Sequence, residues 1–350
     1  MPSVIALLPA APPEDGGFSS VVSYTPGMYH LVEYSFGVAG LALFAGCVYS
    51  LMTRGEIGGK YRSAIHASAL IQGIAFLAYV ALFVTWHTGF VYSQGQYVPA
   101  PDSRFSPGLR YADWSVTVPL LMVELLSVCA LAGAALRRTR FIAMASAFLM
   151  IITGFLGAQV FDDGTSTTWL NIWGLISTVF FIVLYAVGAR AVLGARTTLS
   201  DEAWTSLRNA GMVLGAFFGA YPLLYLIQVF VSPDLSPATL AVWAVVVQVG
   251  FSFSDVAAKC GFGSLIHKVA KVRTAEDVNA REESHPEQVW VSHVKQADAW
   301  PPQIAALSST GVLDTLTGAP AGTTGQPVDG QARNGRTPVG AAGAAPDGRR

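Results

Sequence analysis

The sequence predicts an all-α membrane protein, a bundle of seven transmembrane helices, and three observations carry that prediction. The 350-residue chain is 52% hydrophobic and only 12% charged, too apolar for an ordinary water-soluble domain. Seven apolar runs of about 20 residues or more follow one another, each long enough to cross a bilayer core of about 30 Å at about 1.5 Å per residue. Lysine and arginine crowd one set of run ends and leave the other set almost bare.

The runs are read at 29–52, 63–86, 110–134, 141–161, 168–194, 206–231 and 237–266. Most connections are short: "RGEIGGKY" after the first run, "RRTRF" after the third, "DDGTSTT" after the fourth and "SPDLSP" after the sixth. Only "YSQGQYVPAPDSRFSPG", between the second and third, is long enough to fold over the surface, and a small hairpin is expected there. Arg54, Lys60, Arg62, Arg137, Arg138, Arg140, Arg190, Arg196, Arg208, Lys268, Lys271 and Arg273 flank one side, against Arg104 and Arg110 on the other. With the basic side inside, the N-terminus lies outside, the C-terminus is cytoplasmic, and odd-numbered helices run inward.

Three regions are therefore expected: an external N-terminal segment 1–28, a seven-helix body 29–270, and a disordered cytoplasmic tail 271–350 rich in Gly, Ala, Pro and Thr. The opening "MPSVIALLPAAPPEDGG" lacks the basic flank of a secretory signal. Cys47, Cys129 and Cys260 all fall within apolar runs, which argues against disulfides, a metal site or a redox motif. A net charge near zero averages two unlike regions, and nothing in it points to a nucleic-acid partner. The partner that composition does imply is the lipid bilayer of a cell membrane.

Ions inside the runs are the next clue. Asp255 and Lys259 in "FSFSDVAAKCGFG" are four residues apart, one helical turn on one face. Each alone would cost about 2.5–3.5 kcal/mol at mid-membrane, so intramembrane ions are rare and usually functional. A static salt bridge is the plain alternative. The third run, "GLRYADWSVTVPLLMVELLSVCALAG", adds Arg110, Asp113, Thr117 and Glu124. Glu124 lies three turns beyond Asp113, about 16 Å along the axis and within about 20° of the same face. Two carboxylates at two depths on one face are what a proton relay requires.

These residues resemble the microbial rhodopsins, in particular the proteorhodopsin and xanthorhodopsin type of bacterial proton pump. "RYADWSVTVPLLMVE" is similar to their third-helix signature and "DVAAKCGFG" to their seventh-helix retinal-attachment motif. "RNAGMVLGAFFGAYPLLY" and "WGLISTVFF" agree in order with the sixth and fifth helices, so the resemblance spans about residues 29 to 270. It implies a light-driven outward proton pump, an ion transporter and not an enzyme, with all-trans-retinal joined to Lys259 as a protonated Schiff base. It further implies Asp113 as primary counterion and proton acceptor, Asp255 as second counterion, Arg110 offsetting the doubled negative charge, Thr117 bonded to Asp113, and Glu124 as cytoplasmic proton donor. The acid at position 113 argues against chloride pumps, and the Asp, Thr, Glu set against sodium pumps.

The retinal pocket implied by the resemblance contains Trp114, Leu121, Trp173, Gly174, Ser177, Thr178, Phe181, Phe218, Tyr221, Pro222 and Tyr225, with Tyr79 near the counterion. Two positions depart from the pattern: Phe218 replaces a tryptophan against the polyene, and Ala78 replaces the histidine that many proteorhodopsins pair with the acceptor. Gly174 is similar to the opening through which xanthorhodopsin admits a carotenoid antenna. A homo-oligomer, a pentamer or similar ring, is also implied. The rival reading is a sensory photoreceptor signalling to a transducer, and a carboxylate at Glu124 separates the two because sensors usually lack that donor.

Overall fold

The computed structural model describes residues 18–164, 166–230 and 235–300. Seven helices are long and apolar enough to cross a membrane: α1 Pro26–Thr53, α2 Arg62–Gly89, α3 Gly108–Val128, α4 Gly133–Phe155, α5 Thr167–Gly194, α6 Asp201–Phe230 and α7 Pro237–Asn279. Consecutive helices pack against one another, and α7 closes the bundle against α1 and α6. Of the most apolar stretch of α3, 67% is buried within the protein, against 11% for α5. The helix carrying Asp113 and Glu124 is therefore central, and α5 is a lipid-facing wall.

Local chemistry sets several boundaries. Thr25 caps α1 by accepting from Met28 N, with Pro26 at the first helical position; Ser236 accepts from Thr239 N, with Pro237 in the same place on α7. Between α2 and α3 the expected hairpin forms from β1 Phe90–Ser93 and β2 Gln96–Pro99. Its two-residue turn, Gln94 and Gly95, has φ of 49° and 84°, the doubly left-handed geometry whose twist suits a tight hairpin. Tyr24 bridges to Tyr97 through reciprocal backbone hydrogen bonds of 2.8 Å, so the entry to α1 is stitched to the hairpin. Trp86 is fully buried at this end among Tyr24, Tyr29, Phe36, Phe90 and Phe105.

The structure corrects the sequence reading at two places. The third run ends at Val128 rather than 134, because Cys129 and Ala132 are extended, and α4 begins at Gly133 rather than 141. Hydropathy marks only the apolar middle of α4, whereas the backbone helix extends into its arginine-rich first turns. The boundary at 271 is also wrong for its first part. Helix α7 continues to Asn279, and a second hairpin, β3 Val289–Val291 and β4 Val294–Ala297, packs back on it.

This extension is held by Ala270, Thr274 and Val278, buried at four-residue intervals, a stripe too short to stand out in the composition of the tail. Thr274 accepts from Gly58 N at 3.0 Å, His285 meets Gly55 O at 3.0 Å, and Asp277 receives Lys60 at 3.0 Å and Tyr61 at 2.8 Å. Burial pushes the Tyr61 phenol up to about 12, so it remains a donor. Residues 1–17, the loop residue Asp234 and the tail from 301 to 350 lie outside the described residues.

Candidate functional site

The lysine sits on an irregular stretch of helix. Residues Ala257–Gly261 form one π-helical turn inside α7, a widening that commonly marks functional positions. Nothing in the sequence pattern signals it. From this turn Lys259 Nζ reaches Asp113 Oδ2 at 2.6 Å and Asp255 Oδ1 at 2.8 Å, with all three side chains almost wholly buried. The spacing argument brought Asp255 and Lys259 to one face, and packing of α3 against α7 brings the second carboxylate to the same ammonium.

The two carboxylates are not equivalent. Asp255 Oδ1 also accepts from Tyr221 at 2.6 Å and Trp114 Nε1 at 3.1 Å, and its Oδ2 accepts from Tyr79 at 2.8 Å and Arg110 at 3.4 Å. Asp113 has the lysine, while its Oδ1 is buried without a hydrogen-bond partner among the described residues. Thr117 donates to the backbone carbonyl of Asp113 at 3.0 Å, the bond expected between these two residues. Helix geometry favours it, since a threonine hydroxyl readily back-bonds to the carbonyl four residues earlier.

Arg110, fully buried, is held by Tyr79 OH at 2.8 Å and by Gln248 and Ser252 on α7. Its guanidinium also lies over the rings of Phe36, Tyr79 and Phe251 at 5.2–5.4 Å. Charge-assisted bonds and ring contacts together give a buried cation the partners it needs. Gln248 and Ser252 share the Asp255 face of α7, seven and three residues before it, a signal the sequence reading did not use.

An apolar cavity of about 320 Å³ lies beside this network, among α3, α4, α5 and α6. Trp114, Gly174, Ser177, Thr178, Phe181, Phe218, Tyr221, Pro222 and Tyr225 all line it, as the resemblance implied. Two of the implied residues do not. Leu121 lines a separate cavity of about 360 Å³ next to it, and the two cavities share Phe218 and Val118. Trp173 turns to the segment between α4 and α5 and stacks on Phe161 with ring centroids 5.3 Å apart, because one residue's rotation from Gly174 carries it about 100° around the helix.

Tyr79 belongs to the ion network rather than to the cavity wall. The wall also includes Tyr111, Met150, Gly154 and Phe251, which the sequence reading missed. Tyr111 was findable at three and seven residues before Trp114 and Val118, on one helical face. Met150 and Gly154 sit on α4, where no polar residue draws notice.

Glu124 is fully buried three turns along α3, and neither of its oxygens has a hydrogen-bond partner among the described residues. At the other end of the bundle, His87 is no lone interfacial side chain. It meets Glu33 at 2.7 Å, and His30 meets the other Glu33 oxygen at 3.1 Å. Glu33 was not singled out in the sequence, although His30 stands three residues before it on the same helix; its other partner, His87, is brought to it from α2. Taken together, the site offers a buried primary amine between two unequal carboxylates, an aromatic-walled cavity beside that network, and a third buried acid held apart from it.

A family profile described as bacteriorhodopsin-like protein matches residues 30–272. The chain is similar to a green-light absorbing proteorhodopsin of Gamma-proteobacterium EBAC31A08, 24% identical over 241 residues that cover 67% of this chain and 85% of the relative. The structure of xanthorhodopsin, described as a light-driven ion pump with dual chromophore, aligns with a TM-score of 0.66 and 31% identity over 73% of this chain and 98% of that one. A crystal structure of thermophilic rhodopsin aligns with a TM-score of 0.66 and 26% identity, over 73% of this chain and 99% of that one.

Proposed function

The chain belongs to the bacteriorhodopsin-like family, and from that premise we propose that it is a light-driven proton pump moving protons outward across a cell membrane, with retinal carried on Lys259. It is a multi-pass membrane protein of a family of light-driven ion pumps, not enzymes. The residues fit the chromophore. Trp114 and Tyr221, which hold the Asp255 partner of the buried Lys259 amine, also line the cavity of about 320 Å³, whose aromatic walls would hold a polyene by dispersion and shape. Trp114 and Phe218 both line it. Bound to Lys259 as a protonated Schiff base, retinal supplies light absorption and an isomerisation that changes the surroundings of the nitrogen's proton.

The observation that carries the reading is the inequality of the two carboxylates. Asp255 is surrounded by donors from Tyr79, Arg110, Trp114, Tyr221 and Lys259, so its negative charge is stabilised and it remains an anion. Asp113 keeps one oxygen unpartnered, and that oxygen is free to take a proton. Asp113 is accordingly the acceptor and Asp255 the standing counterion. Arg110 offsets the paired negative charges, and Thr117 ties down the backbone of the acceptor's turn.

Glu124, fully buried three turns along α3 from Asp113 and apart from the Lys259 cluster, supplies the returning proton. The direction rests on the basic residues at the end of the bundle where α7 finishes, with that end in the cytoplasm. On this orientation residues 1–28 are external and the C-terminal part is cytoplasmic. Lipid-facing apolar helices are compatible with a homo-oligomeric ring.

The test is illumination of an unbuffered suspension of cells making the protein. Light-dependent acidification that disappears with a protonophore is expected; no acidification from cells that carry the visible pigment would leave the sensory photoreceptor as the better reading. A carotenoid antenna is a second reading, favoured by the cavity's wall at Gly174, Leu175 and Thr178, where Leu175 is 70% exposed. Energy transfer from an added hydroxylated carotenoid would appear in the excitation spectrum, and a flat spectrum would remove it.

A further inference from the structure

A third cavity, of about 300 Å³, lies between α1, α2 and the far part of α7, away from the chromophore cavity. Its walls are unusually polar for a membrane interior, with Tyr49, Ser50, Ser68, Gln72, Cys260 and His267 among them. One end abuts Glu124. At Gly263, the point where a Cβ would stand is 2.6 Å from Ser68 Oγ, 3.2 Å from Gln72 Nε2 and 3.4 Å from Glu124 Oε1. The missing side chain is what lets these three polar groups converge.

The other end is closed by His267, one helical turn and about 6 Å further along α7. His267 is 5% exposed, and its Nε2 has no hydrogen-bond partner among the described residues. The charged and titratable groups around it come from three places. Tyr49 on α1 has its ring 5.4 Å away; Glu56, in the turn after α1, has its carboxylate 3.6 Å from Nε2; Lys271, one turn on along α7, holds that same carboxylate at 2.5 Å. Cys260 lies on the cavity side of the same helix, and α2 contributes Ser68 and Gln72. Glu56 is 44% exposed at its side chain, so this group reaches the surface while His267 does not.

We propose that His267 and Glu56 form the proton-collecting entrance of the pump and that the polar cavity is the route by which His267 recharges Glu124. This rests on the pump reading above and deepens it. A buried imidazole whose Nε2 faces a half-exposed carboxylate at 3.6 Å, and whose side chain also lines a polar cavity, suits proton exchange between the two. A space of this volume has room for several waters, and its hydroxyl and amide walls offer them partners. The transfer balances: the imidazolium gives one proton through that water to the Glu124 carboxylate, which becomes the neutral acid. The neutral imidazole then takes a proton that Glu56 draws from the cytoplasm. Lys271 holds the Glu56 carboxylate in place between turns of the cycle.

The experiment uses the full chain with retinal in lipid nanodiscs, flash-excited in the presence of a soluble pH dye across pH 6 to 9. His267→Leu is expected to slow proton uptake by about tenfold or more, increasingly as pH rises, with the visible band and proton release unchanged. In His267→Ala, added imidazole should restore the rate. Glu56→Gln should slow uptake less and leave its recovery dependent on buffer concentration. Formation of the visible band reports folding in every variant. Uptake in His267→Leu within twofold of the unaltered protein at all pH values would overturn the relay alone. Absence of any light-driven proton uptake in the unaltered pigment would overturn the pump reading and the relay with it.

Discussion

The surroundings of Asp255 and Glu124 differ although both are fully buried acids on inward-facing helix surfaces. Asp255 receives five side-chain donors drawn from α2, α3, α6 and its own helix. Glu124 receives none among the described residues, and the polar groups near it, Ser68 and Gln72, stand beside Gly263 without a charged partner. A buried carboxylate surrounded by donors is held in its charged form, whereas one without a charged partner or a hydrogen bond is not. Asp113 stands between these extremes, with one oxygen on Lys259 and the other unused. The number of donors around each acid, and not its identity as Asp or Glu, separates a fixed counterion from a group that exchanges protons.

The comparison can be broken most sharply at the shared cation. Lys259→Ala should abolish the visible band altogether when retinal is added, because no other buried amine adjoins the cavity among the described residues; a retained band would end the assignment. Next in size is the contrast between the two aspartates. Asp113→Asn should stop pumping and shift the absorption to the red while the protein remains stable. Asp255→Asn strips a buried anion from Arg110 and Lys259 and should destabilise the fold by about 3–5 kcal/mol, read as a lower temperature of thermal bleaching. Equal behaviour of the two variants would break the distinction drawn from their donors.

A smaller and purely kinetic effect is expected at the isolated acid. Glu124→Gln should leave the absorption spectrum in place and slow proton uptake by about 10²-fold, measured by flash photometry with a pH dye. The smallest effect tests redundancy around Asp255. Tyr221→Phe removes one of the five donors and should cost only about 1 kcal/mol, with pumping reduced but present. A loss as large as that of Asp113→Asn would mean that Tyr221 does more than support a counterion.

Much of this site was legible before any coordinates. Four-residue spacing places Asp255 beside Lys259, and eleven-residue spacing places Asp113 and Glu124 on one face, because helical periodicity is a local property. The pocket was legible wherever aromatic and small residues fell on α3, α5 and α6 within the resembling segments. Trp173 and Leu121 were misplaced because a cavity's boundary depends on which neighbour fills the space, and Phe161 and Phe218 decide that. The entrance formed by His267 and Glu56 was invisible for the same reason, since its two members are more than two hundred residues apart. The segment after 271 was misread because its apolar stripe is brief and its value arises only from docking on the turn between α1 and α2.

By itself the sequence determined the seven spans, the ions within them and the faces those ions share, all consequences of composition and the helical repeat. Tertiary structure alone decided how many donors each acid meets, where the chain widens around Lys259, and which cavities adjoin which acid. Those properties come from contacts between helices far apart in the chain, and no local pattern encodes the free energy of an acid whose partners lie on other helices.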